Sequence, residues 1–171
     1  MASALIPSDM FTGDPIIIEA QGSIKPCADG VSVKSSGVFQ GCSFVNGSGE
    51  QKFAKSIVGG VTATDVKIHI ASDPDQTFFI QADATVTASA GFGVGVVNGP
   101  YIAGTGSHRT GNSGYTLDAS GPVITTNNLR VIRRAPWDTG GVSAGVSDAF
   151  PWYEVRIANH MDNYITATVT G

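Results

Sequence analysis

The chain has 171 residues, of which 42% are hydrophobic and only 14% charged. This length allows one substantial hydrophobic core, and the apolar content excludes an intrinsically disordered protein. A net charge of −4 without any basic stripe argues against a nucleic-acid-binding protein, and no apolar run approaches the ~18 residues of a membrane span. The low charge is typical of a protein whose faces are covered in an assembly, although many secreted β proteins share it. The 22 glycines favour strands and turns over helices.

Residues 1–12 are predicted to form an extended arm, followed by one β domain over residues 13–171. The apolar residues of the arm, Leu5, Ile6, Met10 and Phe11, follow neither a helical nor a strand period. Two arrangements stay open: the arm lies across a neighbouring molecule, or it folds back and plugs its own barrel. The N-terminus lacks the basic and apolar regions of a secretory leader, which predicts synthesis in the cytoplasm.

Short apolar runs separated by turn residues predict three strands before residue 46, at 16–20, 23–25 and 38–44. Gly41 in the third strand indicates a β-bulge or a close backbone approach. The residues from Asn46 to Gly49 predict a turn. The two cysteines, Cys27 and Cys42, do not make a disulfide framework in a chain of this length, so we predict buried free thiols rather than a bridge.

The strongest strand signal lies in residues 65–84, which predict a β-hairpin. Val66, Ile68 and Ile70 alternate with polar residues, and Phe78, Ile80 and Ala82 alternate with Phe79, Gln81 and Asp83. Pro74 between Asp73 and Asp75 marks a turn.

The second half predicts further short strands and two long loops. Residues 85–97 are small and β-rich, and 98–114 contain too few apolar residues to be core and predict an extended surface loop. Strands are predicted at 115–119, 129–134 and 152–158, with a second loop at 135–150. Eight to ten short strands without an amphipathic helix predict an all-β single domain, either a β-barrel or a compact β-sandwich of antiparallel strands with long surface loops.

Catalytic and metal-binding patterns are absent from the sequence. His69, His108 and His160 stand at no metal-ligand spacing, and we interpret His69 as solvent-facing and His160 as a turn residue bonded to local backbone. Asp73 and Asp75 lack the other ligands of a calcium loop. The glycine-rich segments lack the Lys-Ser/Thr ending of a phosphate loop, and no Gly-x-Ser-x-Gly elbow occurs. We therefore predict no catalytic residue, metal or cofactor, although a pair of carboxylates assembled only by the fold stays open.

Arg130, Arg133 and Arg134 form the only dense cationic group. It has two interpretations, a solvated strand end or a contact for an acidic patch on a partner protein.

Several segments between about Gly13 and His160 carry a resemblance to a known family. They are Gly13-Asp14-Pro15-Ile16-Ile17-Ile18, Gln21-Gly22-Ser23-Ile24, Gly37-Val38-Phe39-Gln40-Gly41-Cys42-Ser43-Phe44, Asp73-Pro74-Asp75-Gln76-Thr77-Phe78-Phe79-Ile80-Gln81-Ala82-Asp83, Leu117-Asp118-Ala119-Ser120, Leu129-Arg130-Val131-Ile132 and Glu154-Val155-Arg156-Ile157-Ala158-Asn159-His160. On these segments the chain resembles a family of virion proteins of tailed bacteriophages, common in marine phages and encoded near the major capsid protein. The chain departs from the family at 135–150, which is longer here, and at 57–60, where the family often carries a Trp.

The resemblance implies a head decoration, or cement, protein without catalytic activity. Its expected partner is the major capsid protein, its expected place is the outside of the virion capsid, and self-association as a trimer or another oligomer is expected there. Neither nucleic acid nor membrane is an expected partner. On this interpretation the candidate contact residues are Leu5, Ile6, Met10, Phe11, Arg130, Arg133, Arg134 and Trp137.

The alternative is a carbohydrate-binding or adhesin module of a phage tail or spike. It requires exposed aromatic side chains, for which Tyr101, Trp137 and Trp152 are the candidates. Whether loops 98–114 and 135–150 bind host-surface glycans stays open.

Overall fold

The structure, a computed structural model, describes residues 8–18, 23–28, 35–59, 64–86, 98–99, 101–119, 129–138 and 149–160. These residues form β-strands and no helix, so the predicted all-β class is confirmed. Within this part of the chain, no helix long and apolar enough to cross a membrane is found. The strands are β1 (Met10–Phe11), β2 (Pro15–Ile18), β3 (Ile24–Pro26), β4 (Gly37–Val45), β5 (Gln51–Ala54), β6 (Ser56–Ile57), β7 (Thr64–Ala71), β8 (Thr77–Gln81), β9 (Asn98–Gly99), β10 (Tyr101–Ile102), β11 (Thr116–Leu117), β12 (Leu129–Arg134) and β13 (Trp152–Ile157).

The strands form two larger sheets and two short pairs. The five-stranded sheet has β4 at its centre, with β2 and β5 along one edge, β7 along the other, and β3 outside β2. The four-stranded sheet has the order β8-β13-β12-β9. β1 pairs with β6 and β10 with β11, and every strand pairing is antiparallel. The arrangement is sandwich-like.

The buried apolar side chains form two clusters. The larger joins the four-stranded sheet to β10, β11 and one end of the five-stranded sheet, and it includes Cys27 and Tyr101. The smaller packs Met10, Ile16, Phe39, Cys42 and Ile57 against the five-stranded sheet. Cys27 and Cys42 are both buried and free, as predicted, and they belong to different clusters.

The predicted hairpin at 65–84 is wrong in its pairing. β7 pairs with β4, whereas β8 pairs with β13, so the two strands belong to different sheets. The turn between them is present, since the Asp73 carboxylate accepts a hydrogen bond from the Asp75 amide at 2.9 Å. Residue alternation determines which face of a strand is apolar, but it does not select the neighbouring strand. The long strand β4 offers β7 more partner positions than the five residues of β8 could.

The alternation itself is confirmed in β7. Val66, Ile68 and Ile70 are half-buried, whereas Lys67 and His69 are exposed. The bulge that Gly41 indicated is also present in β4, because the register against β7 shifts between residues 39 and 41 and Gly41 has φ +143°.

Two other predictions are corrected by the fold. Loop 98–114 is not wholly on the surface, since it contributes β9 and β10, and the Tyr101 side chain is only 1% exposed. His160, predicted as a turn residue bonded to local backbone, instead follows the turn at 158–159, is buried, and forms a β-bridge with the distant Ser35. Leu5, Ile6, residues 87–97 and residues 139–148 of the second loop lie outside the described residues.

Candidate functional site: an exposed aromatic surface

Four large aromatic side chains remain exposed around the outer face of the four-stranded sheet. They are Phe79 at 43% exposure, Trp137 at 58%, Phe150 at 51% and Trp152 at 37%. We call these four residues the aromatic surface. Scattered single apolar side chains are normal on protein surfaces, but a group of large aromatic ones indicates a binding site.

Strand pairing places two of these residues. In the antiparallel pair of β8 and β13, Phe79 lies opposite Glu154 and Gln81 lies opposite Trp152. Directly opposed residues point to the same face of a sheet, so Phe79 and Trp152 share the outer face. The sequence pattern encodes this outcome, because Phe79 alternates with the inward-facing Phe78 and Ile80.

Asp138 fixes the loop that carries Trp137. Its Oδ1 pairs with Arg134 Nη2 at 2.7 Å, and its Oδ2 accepts a hydrogen bond from the Trp152 amide at 2.6 Å. The Arg134 Nε also donates to the Asp138 carbonyl oxygen at 3.0 Å. This clamp joins the end of β12 to the start of β13, and the Trp137 ring lies 4.3 Å from the Phe79 ring, tilted by 55°.

Phe150 is held in a strained backbone conformation next to Trp152. Its φ is +53°, a region that costs a bulky residue about 1–3 kcal/mol. The Phe150 carbonyl accepts a hydrogen bond from Gln81 Nε2 at 3.1 Å, and the buried Pro151 follows. The strained residue therefore presents a half-exposed aromatic ring beside the sheet.

Two of the three arginines of the predicted cationic group are ion-paired beside this surface. Arg133 is ion-paired with Glu154, and this guanidinium lowers the pKa of the Glu154 carboxyl group. Arg134 is ion-paired with Asp138, while Arg130 lies opposite Arg156 in the sheet register. Arg133 and Arg134 thus have intramolecular partners, and their role as a contact for an acidic partner stays a prediction.

A cleft of about 560 Å³ adjoins the aromatic surface. Its described lining includes Phe79, Gln81 and Trp152 of the four-stranded sheet, Val38 of β4 and Tyr101 of β10. None of its described lining residues is Asp, Glu, His, Lys, Arg or Cys. Among the described residues, no three His, Cys, Asp or Glu side chains are grouped to hold a metal ion.

Of the other aromatic and apolar residues predicted to make contacts, some are buried and some are exposed. Met10 and Phe11 are buried in the chain's own fold, where β1 pairs with β6, and not on a contact surface. Tyr101 is buried in the larger cluster, which removes it from the aromatic candidates for sugar binding. Trp137 and Trp152 are exposed together.

Sequence reasoning missed Phe79, Phe150 and Asp138 as parts of the site. Phe79 carried a usable signal, because an aromatic residue occupied the polar face of an alternating strand. Phe150 and Asp138 carried none, since their roles depend on contacts with residues far away in the sequence or on backbone conformation.

No protein-family model, curated protein or solved structure matches this chain.

Proposed function

We propose that the protein is a non-enzymatic structural protein that binds the outer surface of a tailed-phage capsid and stabilises the shell. The aromatic surface is the observation that carries the binding role. Aromatic residues are enriched in the buried centres of protein interfaces, and Trp is among the commonest residues to dominate binding energy. The resemblance of segments between residues 13 and 160 to phage head decoration proteins supports the choice of partner, the major capsid protein.

The rigidity of the aromatic surface favours this role. Asp138 and Gln81 hold the backbones of Trp152 and Phe150 by hydrogen bonds, and Trp137 packs on Phe79. Side chains that are ordered before binding lose less conformational entropy on association. A protein that binds only the assembled shell then stabilises that shell by its binding free energy at every copy.

The test measures decoration of purified capsids that lack this protein. We expect the double variant Trp137→Ala, Trp152→Ala to bind at least about 30-fold more weakly, because a dominant interface Trp contributes ~2 kcal/mol or more. Phe53→Ala is the matched control, since Phe53 is 76% exposed on β5 of the other sheet. Equal decoration by the double variant, or electron cryomicroscopy that places the protein away from the head, would contradict the proposal.

Carbohydrate binding by a tail or spike module is the second candidate. Two exposed Trp rings on one surface favour it, because aromatic rings offer apolar faces with a polar edge. Glycan binding that saturates, disappears in the Trp137→Ala, Trp152→Ala variant and accompanies a tail location would select this function over capsid decoration.

A further inference from the structure

Strand β7 has one edge with which no described residue pairs. Among the described residues, β7 (Thr64–Ala71) pairs only with β4, so its other edge is uncovered over 8 residues. Proteins seldom leave so long an edge bare, because its amide and carbonyl groups offer pairing to other chains. The edge also borders an apolar surface, since Val66, Ile68 and Ile70 are half-buried on one face of β7. Nothing in the capsid-binding proposal uses this edge.

The last described residues of the chain arrive at one end of this edge. β13 ends beside the turn that follows β7, where Arg156 Nη1 lies 3.3 Å from Asp75 Oδ1. Shortly after β13, His160 forms a parallel β-bridge with Ser35, which lies just before β4. The chain therefore leaves His160 in the same direction as β4 runs.

The bridge at His160 lies on the side of β4 that carries β7. The opposite side is occupied by β2, because the Ser36 amide donates to the Ile16 carbonyl oxygen at 2.7 Å and the Ile18 amide donates to Ser36 Oγ at 3.0 Å. On the β7 side, Val38 lies opposite Ala71. Residues that follow His160 are thus directed at the Ala71 end of β7.

Residues 161–171 lie outside the described residues, and their sequence has the alternation of a β-strand. Three apolar residues alternate with three threonines: Ile165, Ala167 and Val169 with Thr166, Thr168 and Thr170. Thr, Ile and Val are enriched in strands. None of residues 164–170 is charged, so they can lie beside the exposed Asp65 and Lys67 without like-charge repulsion.

We propose that residues 164–170 pair with β7 as an antiparallel strand and cover its edge. Because Ser35 precedes Val38 by three positions, a straight continuation from His160 would bring residue 163 level with Ala71. Four extended residues reach about 13 Å, which is enough to advance about 10 Å along the sheet and about 4.8 Å across it to the next strand position. This path places residue 164 opposite Ala71.

The register reached in this way also matches the two sequence patterns. Apolar residues meet apolar residues on one face: Ile165 with Ile70, Ala167 with Ile68, and Val169 with Val66. The three threonines meet the exposed side chains of β7 on the other face: Thr166 with His69, Thr168 with Lys67, and Thr170 with Asp65. A shift of one residue would put the threonines on the apolar face, so the chain path and the residue pattern select the same register.

Cross-linking in the full chain tests this register. The double variant Lys67→Cys, Thr168→Cys places thiols on directly opposed residues, whose Cα atoms lie about 4.5–5.5 Å apart, within disulfide range. The matched control is Lys52→Cys, Thr168→Cys, which moves the first thiol to β5. Both lysines are exposed and each is ion-paired with an acidic residue two positions earlier. The native cysteines are buried and stay in place.

We expect mild oxidation to form a disulfide within one chain at least about tenfold faster in the first variant than in the control. Equal rates in the two variants would overturn the proposal. A disulfide that joins two copies in the first variant would also overturn it, because the edge of β7 would then be covered by a neighbouring molecule.

Hydrogen exchange in the unmodified protein tests the same pairing without any substitution. A strand with one neighbour has only alternate amides bonded to that neighbour, so β7 paired with β4 alone would show alternating protection. We expect every amide from Val66 to Ile70 to exchange slowly, whereas β5 (Gln51–Ala54), which pairs only with β4 among the described residues, should show the alternation. Alternating protection in β7, or protection that disappears on dilution, would contradict pairing with the chain's own residues 164–170.

Discussion

Gly37 permits a close approach between neighbouring strands of the five-stranded sheet. Gly37 begins β4, has φ +145°, and lies where β2 and β7 both meet that strand. A Cβ atom built on it would lie 2.7 Å from Ile70 Cγ2 and closer still to the Ala71 carbonyl oxygen. The residue therefore needs both the backbone conformation and the missing side chain.

Gly37→Ala should lower the free energy of unfolding by about 2–4 kcal/mol, because the strain of the backbone adds to the clash with β7. Urea unfolding measures the change. Two exposed glycines serve as controls: Gly49 has φ +80° with open space around it, and Gly47 has open space and needs no special backbone. We expect about 1 kcal/mol for Gly49→Ala and about zero for Gly47→Ala. Equal losses in all three variants would contradict the close approach at Gly37.

Asp9 links the N-terminal segment to two loops, and this link predicts a pH dependence. The hydrogen bond from the Gly59 amide, followed by that from His108, lowers the pKa of Asp9 below its usual value. An acid with a lowered pKa in the folded state stabilises the protein above its unfolded pKa and loses that contribution as the pH falls through its folded pKa. The stability difference between the unmodified protein and Asp9→Asn should thus be present at pH 7 and shrink towards pH 3. A difference of the same size at both pH values, measured by urea unfolding, would contradict this assignment.

At the scale of the strands, the sequence predicts which face of a strand is apolar better than it predicts which strand lies beside it. The apolar face of β7 was predictable because side chains alternate in direction along any strand. The bulge at Gly41 was predictable because a glycine inside a strand often marks one. The partners of β7 and β8 do not follow, since pairing depends on which sheet has a free edge after the whole chain has folded. Tyr101 was misplaced for a related reason: a glycine-rich context suggested a loop, although two residues paired with β11 are enough to bury one ring.

The aromatic surface was likewise predictable from the sequence only in part. Trp137 and Trp152 were identifiable from the sequence as exposed aromatic candidates, and Phe79 from its position in an alternating strand. The partners of Arg133 and Arg134 were not, because Glu154 lies on another strand and the Asp138 clamp requires the turn after β12. A cluster of arginines read without its partners resembles a free basic patch.

The clamp between β12 and β13 gives a prediction of its own. Asp138→Ala removes the ion pair with Arg134, which joins two mostly buried side chains, and the hydrogen bond from the Trp152 amide. We expect a loss of about 2–3 kcal/mol in the free energy of unfolding, since hydrogen bonds to charged groups are stronger than neutral ones. We also expect greater acrylamide quenching of Trp137, measured in a Trp152→Phe background. Quenching and stability that do not change would show that the loop is held by other contacts.

At the scale of the molecule, Met10 and Phe11 of the N-terminal segment belong to the core. Met10 is fully buried in the smaller cluster and Phe11 nearly so. The amide of Thr12 donates to the carbonyl oxygens of Lys55 and Gly111, both at 2.9 Å. For residues 10–12 the structure matches the arrangement in which the segment folds back on its own domain.

Deleting residues 2–11 should therefore abolish cooperative folding or lower the melting temperature by well over 10 °C. Removing a buried Met alone typically costs ~2–5 kcal/mol, and a whole domain is stable by only ~5–15 kcal/mol. Deleting residues 2–7 keeps β1 and isolates any contribution of Leu5 and Ile6 to capsid decoration. A normal melting curve for the longer deletion would mean that β1 is dispensable.

The position of Thr12 has a consequence for the order of folding. Residue 12 forms a β-bridge with residue 112, Asp9 reaches His108 across 99 positions of sequence, and Ser35 meets His160. Such distant partners make loop closure slow, as in other β proteins that fold in milliseconds to seconds. During synthesis the partners of Met10 on β4 and β6 emerge early, but Phe11 and Thr12 must wait for residues 106–112. Phe11 lacks its His108 contact during that interval, so the newly made chain is more prone to aggregate before residue 112 has emerged.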